Sequence, residues 1–407
     1  MANPDHSQIN PVTDWTTDWD HHDRRWTNDP FPIWEQLRSE CPVAHTERYN
    51  EGVWLPTTYE DVTAVAHNPQ VFSSGHSGVA AGGTVPRAKF APIHLDPPRH
   101  APVRRSMLRF FNPKRIESWR PHVQEICDEL IDGFADSVAA GKTVDAAADY
   151  AAHIPACTIA AILGIPTSDG NLFRRWIHGI ELGDNDPELR IRIVQEMGDY
   201  FGDKIAERRR EPGDDLISEL LNVEVDGERF GEDELRRILA LQLVAGIDTT
   251  WGVLGASLWH LATHQGDREA LVSGNADLSV AIEEFLRAYA SVSLWRTVTE
   301  PGHIGETEVA AGDTVMMAFP AACRDPEVFE DAASVDIYRS RNRHVAFGAG
   351  IHRCLGSNLA RLELYVGLET WLRRIPEFTL AADAQVTWAE GAIRGPRSIP
   401  VVVSELR

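Results

Sequence analysis

Residues 347–356 read FGAGIHRCLG, and this stretch decides how the rest of the chain is interpreted. Three glycines stand close to one cysteine, Cys354, so the backbone must turn tightly and approach another group closely. Apolar residues then recur at helical spacing from Leu355 to Leu372, which predicts a helix after the loop. Amide groups of the first helical turn stabilise a thiolate, so we expect the pKa of Cys354 to be lowered.

From its surroundings in the sequence alone, Cys354 has three interpretations. A thiolate on a glycine-rich loop can ligate iron, attack an electrophile as in a non-haem acyl transferase, or remain an inert buried thiol. The other cysteines stand far apart and are interpreted as small buried hydrophobic residues: Cys41, Cys127, Cys157 and Cys323. Five is an odd number and no CxxC spacing occurs, so neither a disulfide framework nor a structural zinc site is predicted.

Composition and charge narrow the function classes. The 407 residues are 43% hydrophobic and 25% charged, which is typical of a globular protein. The net charge of −22 disfavours binding to nucleic acid or to an anionic membrane. No stretch approaches the ~20 apolar residues of a membrane span. The first thirty residues are charged and lack the apolar core of a signal peptide, so we expect a cytoplasmic protein.

Hydrophobic periodicity predicts a mainly α fold with small β-sheets, in one large domain over 29–407 that follows a polar, Trp-rich tail at 1–28. Helices are predicted at 59–68, 98–111, 113–135, 150–163, 170–180, 187–210, 232–263 and 279–290. Strands are predicted at 52–56, 295–300, 308–310, 314–317 and 399–403. The segment 73–91 carries four glycines and little periodicity, so it is either a lid over a site or a floppy surface loop.

The predicted helix 232–263 would be about 48 Å long at 1.5 Å per residue and should cross the centre of the fold. Near its middle, Thr249 can hydrogen-bond the carbonyl of Ala245 and loosen the helix. Asp248 is costly in such an apolar stretch unless it is solvated or paired. A hydrated kink without further function explains these residues equally well.

The segment 347–356 resembles the haem-binding signature of the cytochrome P-450 family and meets every fixed position of that signature. The resemblance continues through Leu359, Ala360, Arg361 and Glu363. The resemblance implies a single cytochrome P-450-type fold with a long central helix. It also implies haem b with Cys354 as the axial thiolate. Phe347, Gly348 and Gly356 would shield the sulfur, and His352 would contact a haem propionate.

Other segments match the family in order. Residues 245–250, beginning at Ala245, resemble its acid–alcohol pair, in which Thr249 hydrogen-bonds O2 during activation and Asp248 relays protons. Glu284 and Arg287 resemble its structural Glu-x-x-Arg pair. The usual third partner is an arginine, and Ser334 is expected to stand in its place, which leaves the pair without a full triad.

The resemblance also assigns the groups that hold the two haem propionates. They are His100, Arg104, Arg296 and His352. As isolated residues, each of these cations is equally consistent with a solvated charge on the surface.

Charge asymmetry points to an electron donor. The segments 97–116 and 337–362 contain no acidic residue but several arginines, although the whole chain is strongly acidic. Positive charge beside the proposed haem segments suits docking of an acidic protein. The resemblance implies that this donor is an iron–sulfur ferredoxin, reduced by an NAD(P)H-dependent ferredoxin reductase.

Together these features predict a soluble class I bacterial enzyme that resembles the camphor-hydroxylase branch. It would use O2 to hydroxylate or O-dealkylate a small apolar terpenoid or aromatic substrate. The pocket is predicted from positions alone: Phe72, Phe90, Val244, Val292, Leu294, Trp295 and Ile393. The alternatives are a non-catalytic haem-thiolate ligand-binding protein and a peroxide-driven peroxygenase, but neither needs the proton relay of Asp248 and Thr249.

Overall fold

The computed structural model describes residues 10–49, 52–75, 90–182 and 187–407 of the chain. Helices dominate the described part. They are Arg24–Asn28, Phe31–Glu40, Tyr59–His67, His100–Leu108, Pro113–Glu117, Arg120–Asp132, Ala135–Ala139, His153–Ile162, Gly170–Leu182, Pro187–Arg210, Leu216–Leu220, Glu232–Gly246, Asp248–Thr263, Gln265–Val272, Leu278–Ala288, Phe319–Ala322 and Ser357–Arg374. A π-helical segment, Ala146–Ala151, and two 3-10 turns, Thr167–Asp169 and Gly350–His352, complete the helical elements.

The strands form one five-stranded sheet and several smaller ones. The order in the larger sheet is Val43–Thr46, Val53–Pro56, Thr314–Met317, Leu294–Val298 and Phe72–Ser73. A three-stranded sheet joins Phe378–Leu380, Pro400–Val403 and Val144–Asp145. Three two-stranded ribbons pair Glu224–Val225 with Glu228–Arg229, Gly302–Ile304 with Thr307–Val309, and Thr387–Trp388 with Pro396–Ser398. The predicted fold class, mainly α with small β-sheets, is confirmed.

Two predicted helices differ from the structure for local reasons. The predicted helix 113–135 is two helices, because Pro121 lies in the first turn of Arg120–Asp132, where a proline starts a helix more readily than it continues one. The predicted helix 150–163 begins at His153, after the π-helical segment Ala146–Ala151. The helix Phe31–Glu40 was not predicted.

The predicted long helix crosses the fold as two collinear parts, Glu232–Gly246 and Asp248–Thr263, which meet at Ile247. Within the described residues, Glu232–Thr263 is the one helix long and apolar enough to cross a membrane, and 83% of its most apolar window is buried inside the protein. It is therefore a core helix by position. We call the two parts the central helix.

The N-terminal residues 10–28 belong to the core and not to a surface tail. Trp19 is fully buried, and it packs with Trp26 in a cluster that also takes in Trp295. Asp18 forms an ion pair of 2.6 Å with Arg48. The predicted boundary at residue 28 is thus wrong for the described part of the tail, because its tryptophans bury large apolar surfaces.

Candidate functional site

The loop that presents Cys354 is held by its own backbone. The amide of Cys354 donates to the carbonyl of Phe347 at 2.7 Å and closes the loop upon itself. Gly348 and Gly350 have φ angles of +70° and +67°, which favour glycine. A Cβ on Gly350 would also lie 2.1 Å from the carbonyl oxygen of Ala66. The glycine pattern is therefore explained by turning and by close approach.

Cys354 is half-buried and lines the main cavity of the described residues. Burial raises the pKa of its thiol, whereas a hydrogen bond from the Gly356 backbone and the guanidinium groups of Arg104, Arg353 and Arg361 lower it. The expectation that the pKa of Cys354 is lowered is wrong, because the cost of burying the thiolate is larger than its stabilisation by the first helical turn. A bound metal cation would supply the missing stabilisation of the thiolate.

Four side chains predicted to hold the haem propionates lie close together beside this loop, and we call them the propionate cluster: His100, Arg104, Arg296 and His352. The rings of His100 and His352 lie 4.3 Å apart, and the Nε2 atom of each is buried without a hydrogen-bond partner among the described residues. Arg104 donates to the backbone carbonyl of Arg353, which joins the helix His100–Leu108 to the cysteine loop.

Asp96 is the carboxylate whose charge reaches the propionate cluster from within the described residues, at Arg296 and His100. Arg296 is 5% exposed, and its guanidinium donates to the carbonyl of its neighbour Trp295. Burial lowers the pKa of Arg296 to about 10. Burial and then the charges of Arg296, His100 and Arg104 lower the pKa of His352 to about 2. The Asp96 carboxylate is hydrogen-bonded to Ser73 and Ser74, and the Nε2 atoms of His100 and His352 keep no hydrogen-bond partner among the described residues. Buried donors of this kind fit an anionic ligand such as a pair of carboxylates.

The cavity is lined mainly by apolar side chains. It joins Cys354, Ala245 and Thr249 to an apolar wall. Four residues predicted from their positions belong to that wall: Val244, Val292, Leu294 and Ile393.

The other three predicted pocket residues lie elsewhere. Trp295 packs against Tyr49 in the N-terminal cluster, because successive residues of a strand point to opposite faces and Leu294 already faces the cavity. Phe72 belongs to the core around the helix Tyr59–His67. Phe90 packs beside His94, with ring centroids 5.9 Å apart.

The predicted lid, 73–91, falls mostly outside the described residues. The structure describes its first residues up to Gly75 and its last two. Asp96 holds the first of these: it accepts from the Ser73 hydroxyl at 2.5 Å and from the Ser74 amide at 2.9 Å. The start of the segment is thereby attached beside the helix that carries His100.

The central helix is opened where the sequence suggests. Thr249 Oγ1 donates to the carbonyl oxygen of Ala245 at 2.9 Å, and Ile247 interrupts the helix between them. Both Thr249 and Ala245 line the cavity. The small side chain of Ala245 leaves room beside the Thr249 hydroxyl.

Asp248 has a partner that the sequence did not reveal. Its carboxylate is 1% exposed and lies 2.6 Å from Nη1 of Arg397. The Arg397 guanidinium also stacks on Trp251, 4.2 Å from the ring centroid. A buried aspartate predicts that some partner exists, but nothing local in the sequence identifies an arginine about 150 residues away.

Glu363 is a second buried acid at the cavity, and no role beyond the signature was predicted for it. Burial raises its pKa to about 8, and hydrogen bonds with the hydroxyls of Thr158 and Thr250 lower it only in part. The carboxyl therefore holds a proton at neutral pH. An acidic residue among the apolar positions of the helix Ser357–Arg374 was the available signal.

Glu284 and Arg287 form a fully buried pair, with Arg287 Nη2 donating at 2.7 Å. Arg339 donates to the same carboxylate from Nε at 3.0 Å, so a triad exists. Ser334 contributes only its backbone carbonyl, which accepts from Arg287 at 2.6 Å. The expectation that Ser334 replaces the third arginine is wrong, because the chain places an arginine five residues later.

The neighbouring Glu283 fixes the start of the cysteine loop. It accepts from Arg361 Nε at 2.6 Å and lies 3.1 Å from His344 Nε2. Burial opposes its ionisation, but hydrogen bonds from Arg361 and His344 lower its pKa to about 2. Arg361 also covers the ring of Phe347. Glu283 thus holds residues on both sides of the cysteine loop in the sequence, His344 and Arg361, whereas Glu284 belongs to the buried triad.

Comparisons with known proteins agree with this geometry. A family model described as Cytochrome P450 matches residues 278–386. The chain is 34% identical to the mycinamicin IV hydroxylase/epoxidase of Micromonospora griseorubida, over 90% of this chain and 94% of that protein. It is 35% identical to a steroid C26-monooxygenase of Mycolicibacterium smegmatis, over 90% of each.

The fold is also shared. The cytochrome P450 PksS of the bacillaene polyketide synthase of Bacillus subtilis superimposes with a TM-score of 0.86 at 30% identity, over 95% of this chain and 100% of that chain. The cofactor that fits the Cys354 thiol in the apolar cavity and the propionate cluster beside it is haem b with cysteine-thiolate ligation. Identity above 30% along nine-tenths of its length shows that this chain belongs to the cytochrome P450 family of monooxygenases.

Proposed function

We propose that this monooxygenase hydroxylates, or removes an O-alkyl group from, a small apolar terpenoid or aromatic compound in the cytoplasm. Electrons come from an acidic ferredoxin and its NAD(P)H-dependent reductase. The observation that carries the proposal is the single cavity that joins Cys354, the Thr249 hydroxyl and an apolar wall. The relationship to the camphor-hydroxylase branch stays a prediction.

The proposed cofactor contacts use residues already gathered at one place. Cys354 would ligate the iron, and the propionate cluster would hold the two carboxylates. The bound haem supplies the activation of O2 by electron donation from its thiolate. The protein supplies position, shape and protons.

Proton delivery is assigned to residues of the central helix. Thr249 presents a hydroxyl to the cavity while bonded to Ala245. Asp248 lies next to it and is held by Arg397, whose side chain is 17% exposed. A proton can pass from solvent to the carboxylate and then to the hydroxyl when the ion pair opens. The apolar wall meanwhile keeps bulk water from the reacting carbon.

The proposed donor surface consists of exposed cations on both acid-free segments. They are Arg105, Arg109, Lys114, Arg341, Arg343 and Arg353. In the described part of the chain, none of them has an ion pair with a carboxylate. Leu108 and Tyr338, 48% and 58% exposed, add apolar anchors beside them. An acidic protein with an apolar spot complements such a surface.

One experiment tests the proposal as a whole. Terpenoids and aromatics are screened for a shift of the ferric Soret band from low spin to high spin. A compound that shifts the band is then incubated with NADH, ferredoxin and reductase under isotopically labelled O2. We expect one labelled oxygen atom, in the new hydroxyl group after hydroxylation or in the released aldehyde after O-dealkylation. Turnover with hydrogen peroxide alone, and none with the electron donors, would instead support the peroxygenase alternative.

A further inference from the structure

Gln242 is a polar side chain in an apolar part of the central helix. It is 8% exposed and lines the cavity next to Leu241 and Val244. A buried amide is unfavourable unless its donors and acceptor find partners. Its place on the cavity wall therefore calls for a partner within the cavity.

The side-chain amide of Gln242 carries one acceptor and two donors, and one donor is bonded within its own helix. Nε2 donates to the carbonyl oxygen of Ile238 at 3.1 Å on the same helix. Among the described residues, no hydrogen bond to Oε1 is found. Turning the amide over would bring Oε1 against the Ile238 carbonyl, where two acceptors repel. Gln242 therefore offers the cavity its Oε1 acceptor, together with the second N–H of Nε2.

The separation of Gln242 from Thr249 along the central helix sets the length of a substrate that reaches both residues. It precedes Thr249 by seven residues, which is two turns of one helix face or about 10.5 Å at 1.5 Å per residue. Both residues line the same cavity. A bound molecule with its reacting carbon near Thr249 and a donor at Gln242 must span that length with an apolar body, because Val292, Leu294 and Ile393 supply apolar wall.

We infer that Gln242 accepts a hydrogen bond from a hydroxyl of the substrate, and that the substrate is a rigid polycyclic terpenoid alcohol of sterol type, oxidised about 10 Å from that hydroxyl. The inference rests on the proposed function and makes its substrate class more specific. The steroid C26-monooxygenase among the relatives acts, by its name, on molecules of this kind.

The other polar groups on the wall are less suited to this role. Thr250 and Glu363 already bond to each other. Thr249 bonds to Ala245 and lies at the reacting end. Ser291 is the remaining competitor, and it lies beside Val292 and against Gly252 of the central helix.

The test uses three saturated steroids that differ only at carbon three: an alcohol, the matching ketone and the hydrocarbon. Their dissociation constants are measured from the ferric spin-state shift. We expect the alcohol to bind about fivefold tighter than the ketone, because one neutral hydrogen bond is gained. Gln242→Met keeps the length and removes the acceptor, so the alcohol should lose this advantage. The ratio should persist in Ser291→Ala.

The outcomes separate the inference from the proposed function. Equal binding of the three steroids to a wild-type enzyme that turns over overturns the role of Gln242 alone. Loss of the alcohol preference in Ser291→Ala, with its retention in Gln242→Met, overturns it as well. Absence of the thiolate-type carbon monoxide band in the wild-type protein would overturn the proposed function and the inference with it. That band in Gln242→Met shows that the variant has folded and holds haem.

Discussion

The cysteine loop and the apolar wall border the same cavity but are held by different forces. Directed interactions hold the loop: the Cys354 amide donates to the Phe347 carbonyl, and Glu283 forms an ion pair with Arg361. Two glycines with positive φ angles allow the backbone to turn. The side chains of the wall, such as Val292 and Ile393, pack against one another as apolar groups, although a β-bridge joins the backbone of these two residues. Directed bonds tolerate little change, whereas apolar packing tolerates swaps that preserve volume. The cysteine loop, which presents the thiolate, therefore tolerates few substitutions. The apolar wall, which contacts the substrate, can change with the substrate.

The largest expected effect concerns the fixed side. Cys354→His should abolish the Soret band that is diagnostic of thiolate-ligated haem when reduced protein binds carbon monoxide, since imidazole is not a thiolate donor. Cys41→Ser is the matched control and should retain the band. An unchanged band in Cys354→His would remove Cys354 from the iron. Loss of haem from that variant calls for Cys354→Ser with the same measurement.

The second largest effect is expected at Thr249 and Asp248 of the central helix, and it concerns the coupling of NADH to product. Removal of the Thr249 hydroxyl should leave apolar binding intact but misdirect protons, so Thr249→Ala should consume NADH while releasing mostly hydrogen peroxide. Thr249→Ser keeps the hydroxyl and should restore coupling. Asp248→Asn should slow the whole cycle ~10²–10⁴-fold, the usual contribution of a proton relay. Full coupling in Thr249→Ala would make this motif structural.

The buried triad gives a stability effect. Glu284→Gln leaves two arginines facing an uncharged amide and should lower the free energy of unfolding by ~3–5 kcal/mol. Arg339→Ala should also destabilise, because its guanidinium bonds to Glu284. Ser334→Ala should be within ~0.5 kcal/mol of wild type, because only the backbone carbonyl is used. Denaturant titration checks all three, and a cost for Ser334→Ala equal to that of Arg339→Ala would contradict the triad.

How far the sequence predicts the site depends on the range of each interaction. The cysteine loop, its following helix and the Thr249–Ala245 bond involve residues within a few positions, so their spacing is visible in the sequence. Arg397 and Arg339 reach their carboxylates through tertiary packing, and no local pattern reveals them. Trp295 was misplaced because a strand residue can face either side until the sheet is assembled. Phe72 was misplaced for the same reason.

A smaller effect concerns proton binding at Glu363. Burial in the folded state raises the pKa of Glu363 to about 8 from its ordinary value of 4.5, so the folded protein holds an extra proton between these values. Its contribution to stability is therefore full below about pH 4.5 and is lost as the pH rises through about 8. Glu363→Gln, which stays neutral, should be relatively more stable than wild type at pH 9 than at pH 5. Glu369→Gln, exposed on the same helix, should keep the wild-type pH slope.

The smallest expected effect tests the tolerance of the wall. Ile393→Val removes one methylene from a residue that touches the cavity, which costs ~0.5–1.5 kcal/mol where packing cannot relax. We expect tightly fitting substrates to bind at most about tenfold more weakly, because 1.4 kcal/mol is a factor of ten. Bulkier compounds should gain affinity, since the lost volume becomes available to them. The carbon monoxide band and the coupling of NADH to product should stay as in wild type. Spin-state titrations with a size series of terpenoids measure the change, and a collapse of coupling in this variant would show that the wall positions substrate as strictly as the loop positions the thiolate.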